Sequence, residues 1–133
     1  MTSSVVSHPL SENKKHNYRE LRVWVKAIDF TRSIYKATKN FPKDEVFGLC
    51  SQLKRAAVSI PSNIAEGSVK RSDKDFSRFL NIAFGSIAEV DTQLVIAEAE
   101  NFISKMEAES LFAELYEIRK MLSGLMNSLK SDN

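Results

Sequence analysis

The most regular pattern in the chain lies near its C-terminus, where Leu111, Leu115, Ile118, Leu122, Leu125 and Leu129 follow at alternating steps of four and three residues. That 3.5-residue period puts all six on one side of a helix and matches coiled-coil-like packing. Upstream, Phe76, Phe79, Leu80, Ala83, Ile87, Val90, Leu94 and Ala97 form a second helical stripe. Ser72-Asp73-Lys74-Asp75 opens it with a near match to the capping box, Asp standing where Glu is usual. Gly85 and Ser86 fall in its middle. Glycine costs about 1 kcal/mol relative to alanine inside a helix, so close approach of a neighbouring helix is expected there.

Two further helices precede these. Leu21, Trp24, Ile28, Thr31, Tyr35 and Thr38 share one face, and Asn40-Phe41-Pro42 closes that helix because a residue before proline is pushed out of the helical region. The next helix is expected to start around Asp44, acting as a cap, and to carry Phe47, Leu49, Leu53, Ala56, Ala57, Ile60 and Ile64, with Gly67 marking its stop. Pro61 lies inside this stripe. It removes a backbone hydrogen bond, so the pattern predicts a kink near Val58 to Ile60, with two short segments split at Pro61 as the alternative. Residues 101–104 form the last corner.

The predicted fold is all-α: an up-and-down antiparallel four-helix bundle with a proline kink in the second helix, since short connections favour antiparallel neighbours. Residues 1–17, with Ser3, Ser4, Ser7 and Pro9, read as a flexible tail and residues 18–133 as the bundle domain. A second apolar set, Phe112, Met121 and Met126 on the last helix and Ile82 and Phe84 on the third, widens the apolar faces beyond one seam. This favours self-association over a merely broad core. A lone cysteine, Cys50, forms no internal disulfide and reads as packing. Neither an N-terminal apolar run nor a bilayer-length apolar stretch stands out, so cytoplasmic residence with no membrane contact is expected.

Charge changes the picture more than composition does. In residues 14–78, 15 Lys and Arg stand against 7 Asp and Glu, whereas residues 79–133 hold 4 against 9. The cations fall in two groups: Lys14, Lys15, Arg19, Arg22 and Lys26, then Lys54, Arg55, Lys70, Arg71, Lys74 and Arg78. Phosphate backbones are the natural partner of such groups, through counterion release. A solvated face with weak surface pairs is the plainer alternative, since Glu20, Asp73 and Asp75 are interleaved. Catalysis has little to work with. The only histidines, His8 and His16, lie in the tail, so neither a carboxylate-bridged di-iron site, nor a zinc site, nor a Ser or Cys nucleophile with its base can be assembled. The four glycines are scattered and build no phosphate loop. No enzyme, metal, cofactor or small-molecule substrate is therefore expected. Asn63 and Glu66, with Asn81 and Glu89 on the third helix, form a candidate polar cluster, the first two placed to satisfy backbone groups loosened by Pro61. Trp24 reads as a core anchor rather than a base-stacking platform.

Three segments carry a resemblance: Glu20-Leu21-Arg22-Val23-Trp24 with Lys26-Ala27, then Ser59-Ile60-Pro61-Ser62-Asn63-Ile64-Ala65-Glu66-Gly67, then Phe79-Leu80-Asn81-Ile82-Ala83 with Gly85-Ser86 and Glu89. Over residues 18–103 the chain resembles the bacterial four-helix-bundle proteins encoded in intervening sequences of large-subunit ribosomal RNA genes. Val25 stands where Gln is common, and Val90-Asp91 where Leu-Glu is common. The resemblance implies a family often labelled a ribosomal protein, although its members are not established ribosome components. Relatives of similar fold, including the accessory protein of diversity-generating retroelements, assemble as pentamers with basic surfaces that engage nucleic acid and a reverse transcriptase. The expectation is a homo-oligomer, a pentamer by that resemblance, binding structured RNA or DNA. The alternative is a protein-interaction scaffold with no nucleic-acid contact.

Overall fold

The computed structural model describes residues 17–130. The tail expected over residues 1–17 lies outside these except for Asn17, as do Lys14, Lys15 and both histidines. Four helices follow in order: α1 Arg22–Thr38, α2 Leu49–Ser68, α3 Asp73–Ala99 and α4 Lys105–Lys130. Single 3-10 turns at Tyr18–Glu20 and Lys43–Glu45 precede α1 and α2. Each helix packs on its sequence neighbours and α4 returns to α1, whereas α1 and α3 lie on one diagonal and α2 and α4 on the other. That cyclic order is the up-and-down bundle the loop lengths predict.

The helix ends are fixed by local hydrogen bonds. Ser72 caps α3, its Oγ accepting from the Asp75 N–H at 3.1 Å. Ahead of α4 sits a full capping box: Ser104 Oγ accepts from the Glu107 N–H, and Glu107 Oε1 accepts from the Ser104 N–H, both at 3.0 Å. Asn101, at φ 63°, ends α3 in a left-handed turn. The Phe102 N–H then reaches the Ala97 carbonyl and the Asn101 N–H the Glu98 carbonyl, so the last carbonyls of α3 are satisfied. Aromatic pairs close both ends of the core, Phe41 on Phe102 at one and Tyr18 on Trp24 at the other, each with ring centroids 5.4 Å apart.

The core follows the sequence stripes of α3 and α4 closely, with Phe76, Leu80, Ala83, Ile87, Val90, Leu94, Leu111, Leu115, Ile118 and Leu122 all buried. Met126 is buried too, so part of the second apolar set belongs to the core. Trp24 is buried, and Cys50 packs with its thiol 3.5 Å from the Thr38 carbonyl. On α1 the buried face is turned from the expected one: Val23, Ala27, Phe30 and Ile34 join Trp24 and Thr38, while Tyr35 is 44% exposed. The helix is apolar over a wide arc, and contact with both α2 and α4 selects its middle.

The second helix departs from expectation at its start and stop. Pro42 leads into the turn Lys43–Glu45, and Glu45 rather than Asp44 caps α2, its Oε1 accepting from the Leu49 N–H at 3.0 Å. Phe47, expected in the core, lies before this start and is 96% exposed. Gly67 is not the stop, because α2 continues through Ser68; it is buried where α2 meets α3, and a Cβ there would lie 2.8 Å from Phe79 Cβ. The close approach expected at Gly85 is found at Gly67 instead, since nothing lies within 4 Å of a Cβ built on Gly85.

Pro61 sits inside an unbroken α2. The carbonyl it deprives of a partner belongs to Ala57, four residues back. The one hydroxyl proton of Thr31 on α1 is shared between two carbonyls, Ala27 of its own helix at 2.8 Å and this one at 3.2 Å. Asn63 serves a second backbone carbonyl of this stretch, its Nδ2 donating to that of Ser59 at 2.8 Å, while Glu66 is exposed. One further helix property matters. Against the expectation that no stretch approaches bilayer length, α3 reaches a mean hydropathy of 1.3 over 18 residues, long and apolar enough by composition to cross a membrane, although only 39% of that window is buried in the bundle.

Candidate nucleic-acid interface

The short turn between α2 and α3 gathers most of the second cationic group. Lys70 and Arg71 lie on it and Lys74 and Arg78 on the first turns of α3, with Lys70, Arg71, Lys74 and Arg78 all exposed. The half-buried Phe79 ring organises two of them: Lys70 Nζ stands 5.1 Å and Arg78 Cζ 4.9 Å from its centroid. Such contacts hold long cationic side chains over an apolar base without neutralising them. Arg78 also meets Asp75 at 3.6 Å, a solvent-exposed pair of little strength. The turn Tyr18–Glu20 packs on α1 and α2 at this same end, which brings Arg19 and the exposed Arg22 there as well. Lys26 is exposed one turn further along α1.

Lys54 and Arg55 lie elsewhere. They sit about 20 Å along the α2 axis from the turn, at 1.5 Å per residue. Lys54 Nζ stands 4.9 Å over the Tyr35 ring of α1. Beside it a shallow groove of about 730 Å³ is lined by Asp29, Arg32, Tyr35, Lys36 and Lys39 among others. Arg32, Lys36 and Lys39 were in neither sequence group. Their spacing on the polar side of α1 was the available signal. The cations thus form two regions, one at the α2–α3 end and one along the α1–α2 side.

The four candidate polar-cluster residues differ in burial. Asn63 is half-buried and donates to the Ser59 carbonyl at 2.8 Å and lies 2.9 Å from Ser59 Oγ, while Glu66, Asn81 and Glu89 are exposed. The polar seam between α2 and α3 centres on Ser59 and Ser86, whose hydroxyls are 2.7 Å apart, with Asn63 joined to it through Ser59. Gln93 extends it toward Gln52 at 3.5 Å. On the α1–α4 seam the half-buried Glu114 accepts from Ser33 Oγ at 3.3 Å, and burial pushes its carboxyl above the ordinary range despite Ser33 and Lys26. Among the described residues no group of three His, Cys, Asp or Glu is placed to hold a metal ion.

These features define a helical-bundle protein whose distinctive chemistry is surface charge, gathered around one inter-helix turn and one helix side. The family profile described as 23S rRNA-intervening sequence protein matches residues 19–124. The chain belongs to that family, and the match extends well into α4, beyond the segments that carry the sequence resemblance. A solved structure from Bacteroides thetaiotaomicron VPI-5482, of a protein with unknown function from the S23 ribosomal protein family, is similar at a TM-score of 0.71 and 29% identity. The alignment covers 78% of this chain and 97% of that one. No curated protein matches significantly.

Proposed function

We propose that this chain is a non-enzymatic, homo-oligomeric bundle in the cytoplasm that holds structured nucleic acid, ribosomal RNA or a similar polyanion, against its basic surface. The observation that carries the reading is the convergence of Lys70 and Arg78 on Phe79, with Arg71 and Lys74 on the same turn. Cations held this way meet phosphates electrostatically, and no base-reading element accompanies them, so binding positions without specifying sequence. The five-fold assembly is what the family resemblance implies. The experiment is binding of a ribosomal RNA fragment over a salt series. Log affinity falls by about 0.7–0.9 per phosphate neutralised for each unit of log salt, so K70E/R71E/K74E/R78E lowers the slope by about 3. K105E/K120E, on the acidic half, leaves it unchanged. No binding at low ionic strength, or binding indifferent to salt, refutes the reading.

A second reading, a protein-interaction scaffold without nucleic-acid contact, is favoured by a groove of about 630 Å³ between α3 and α4, where Phe84, Phe112 and Tyr116 stand together. Under it the quadruple charge reversal changes no partner binding, and capture of a partner survives nuclease treatment.

A further inference from the structure

We infer that a second copy of this chain covers the outer side of α3 by a head-to-tail contact, in which Phe47 of one copy seats in the Phe84/Phe112/Tyr116 groove of the next. The inference rests on the self-association proposed above and assigns its two surfaces. Phe47 is the natural knob. It is 96% exposed, more than any other large apolar side chain described, and the loop carrying it is pinned by the Glu45 bond to the Leu49 N–H. An apolar ring held in water in a fixed position marks an interface better than scattered exposure does. The groove is the natural hole, apolar along Phe84, Phe112 and Leu115, of a volume suited to a few side chains, with Asp91 and Arg119 at its polar rim.

Charge pairs the two surfaces. Phe47 shares its own shallow groove with Arg55 and Glu89, so it arrives at the hole flanked by an arginine for Asp91 and a carboxylate for Arg119. Height pairs them too. Glu89 and Asp91 are two residues apart on α3, placing knob and hole at one level along the bundle, within about 3 Å of helix rise. The helix between them is also the one that most needs covering: α3 is the most apolar, yet Ile82, Val95 and Ile96 are each about half exposed on it.

Because knob and hole are different patches, the contact is heterologous and repeats from copy to copy. Phe47 lies on the α2–α3 side and the groove on the α3–α4 side, so the patches meet at the α3 corner rather than on opposite sides. Such a contact closes into a ring when its rotation divides a full turn and extends as a filament otherwise; the closed case is the one the family resemblance implies. The ring axis runs beside α3, and the diagonal helix α1 faces outward with its cations.

The test measures solution mass by light scattering, with circular dichroism to verify folding, for wild type, F47D and F112D. Wild type is a ring. Each variant is a helical monomer. Mixed well above the concentration at which wild type assembles, F47D and F112D form a one-to-one dimer and nothing larger, because each retains the half the other has lost. Since Phe112 is half-buried, Y116D, at an exposed position, stands in if F112D loses helicity. An F47D protein of wild-type mass overturns the inference and leaves self-association standing, whereas monomeric wild type sinks both. Monomeric variants that never pair on mixing refute the head-to-tail geometry. Monomeric wild type that binds lipid vesicles through α3 assigns that face to a membrane instead.

Discussion

Alanine at Gly67 and alanine at Gly85 move stability in opposite directions, although both are helical glycines. Each substitution gains up to about 1 kcal/mol in intrinsic helix propensity. At Gly67 the new Cβ lies 2.8 Å from Phe79 Cβ, 2.9 Å from Phe76 Cδ1 and 3.2 Å from the Phe76 carbonyl oxygen. Two of these three atoms are fixed to the α3 backbone, so rotation of a side chain cannot relieve the clash and α3 itself must retreat. Overpacking of this kind costs about 1–3 kcal/mol. With the backbone involved the upper part of that range applies, and Gly67→Ala destabilises by about 1–2 kcal/mol net of the propensity gain. For a domain of this size that lowers Tm by roughly 4–8 °C. Gly85→Ala and Gly124→Ala, with nothing within 4 Å of the added carbon, raise Tm by about 2–4 °C. Thermal unfolding followed by circular dichroism, at one protein concentration so that association contributes equally, reads all three. Gly67→Ala with a Tm at or above wild type would refute the assignment of Gly67 as the close-approach point between α2 and α3.

Thr31→Val removes the proton shared between the Ala57 and Ala27 carbonyls and is expected to destabilise by about 1 kcal/mol in urea unfolding. In a Pro61→Ala background, where a backbone N–H returns to the Ala57 carbonyl, the cost shrinks; additive effects in the double-mutant cycle would show that Thr31 does not serve the carbonyl freed by Pro61. Glu114 gives a pH signature. Burial raises its folded pKa, so the folded chain holds this proton more tightly than the unfolded one, and the stability it contributes falls as pH rises from the ordinary carboxylate range through the raised value. Glu114→Gln is therefore more stable than wild type at neutral pH, and the difference fades in acid, where Glu114 is protonated; an advantage equal at both ends of the range would sink this account.

The stripes of α3 and α4 were legible because their periods run through many turns with polar residues between, leaving one way to bury them. On α1 the period was clear but its phase was not. Leu21, Ile28 and Tyr35 compete with Val23, Phe30 and Ile34, and only contact with α2 on one side and α4 on the other selects the second set. Phe47 was misplaced because its spacing to the α2 stripe is helical, while Pro42 and the turn after it end that geometry before the helix begins. Gly67 and Gly85 look alike in sequence, since a close approach depends on which neighbour faces the glycine. The cationic residues were visible as a composition. Their division was not, because separation along a helix turns the short sequence interval from Lys54 to Lys70 into about 20 Å of space.

Up-and-down order converts a charge asymmetry along the chain into one across the molecule. Consecutive helices are neighbours, so the basic α1 and α2 form one side and the more acidic α3 and α4 the opposite side. A long polyanion approaching from solution is drawn to the first side and to the Lys70–Arg78 end, whereas α4, with Lys105, Arg119, Lys120 and Lys130 balancing Glu107, Glu109, Glu114 and Glu117, offers it no net attraction. The apolar groove lies on that second side, at Phe84 and Phe112, while Phe47 and the α3 face carry the rest of the proposed contact. The diagonal placement of α1 and α3 then has a functional meaning: the helix best suited to burial between copies is the one farthest from the cations of Arg32, Lys36 and Lys39. Assembly and polyanion binding draw on largely different residues: Arg55 is shared by both, and Lys74 and Arg78 belong to α3 but lie at its N-terminal turns, below the level of Phe84 and Glu89.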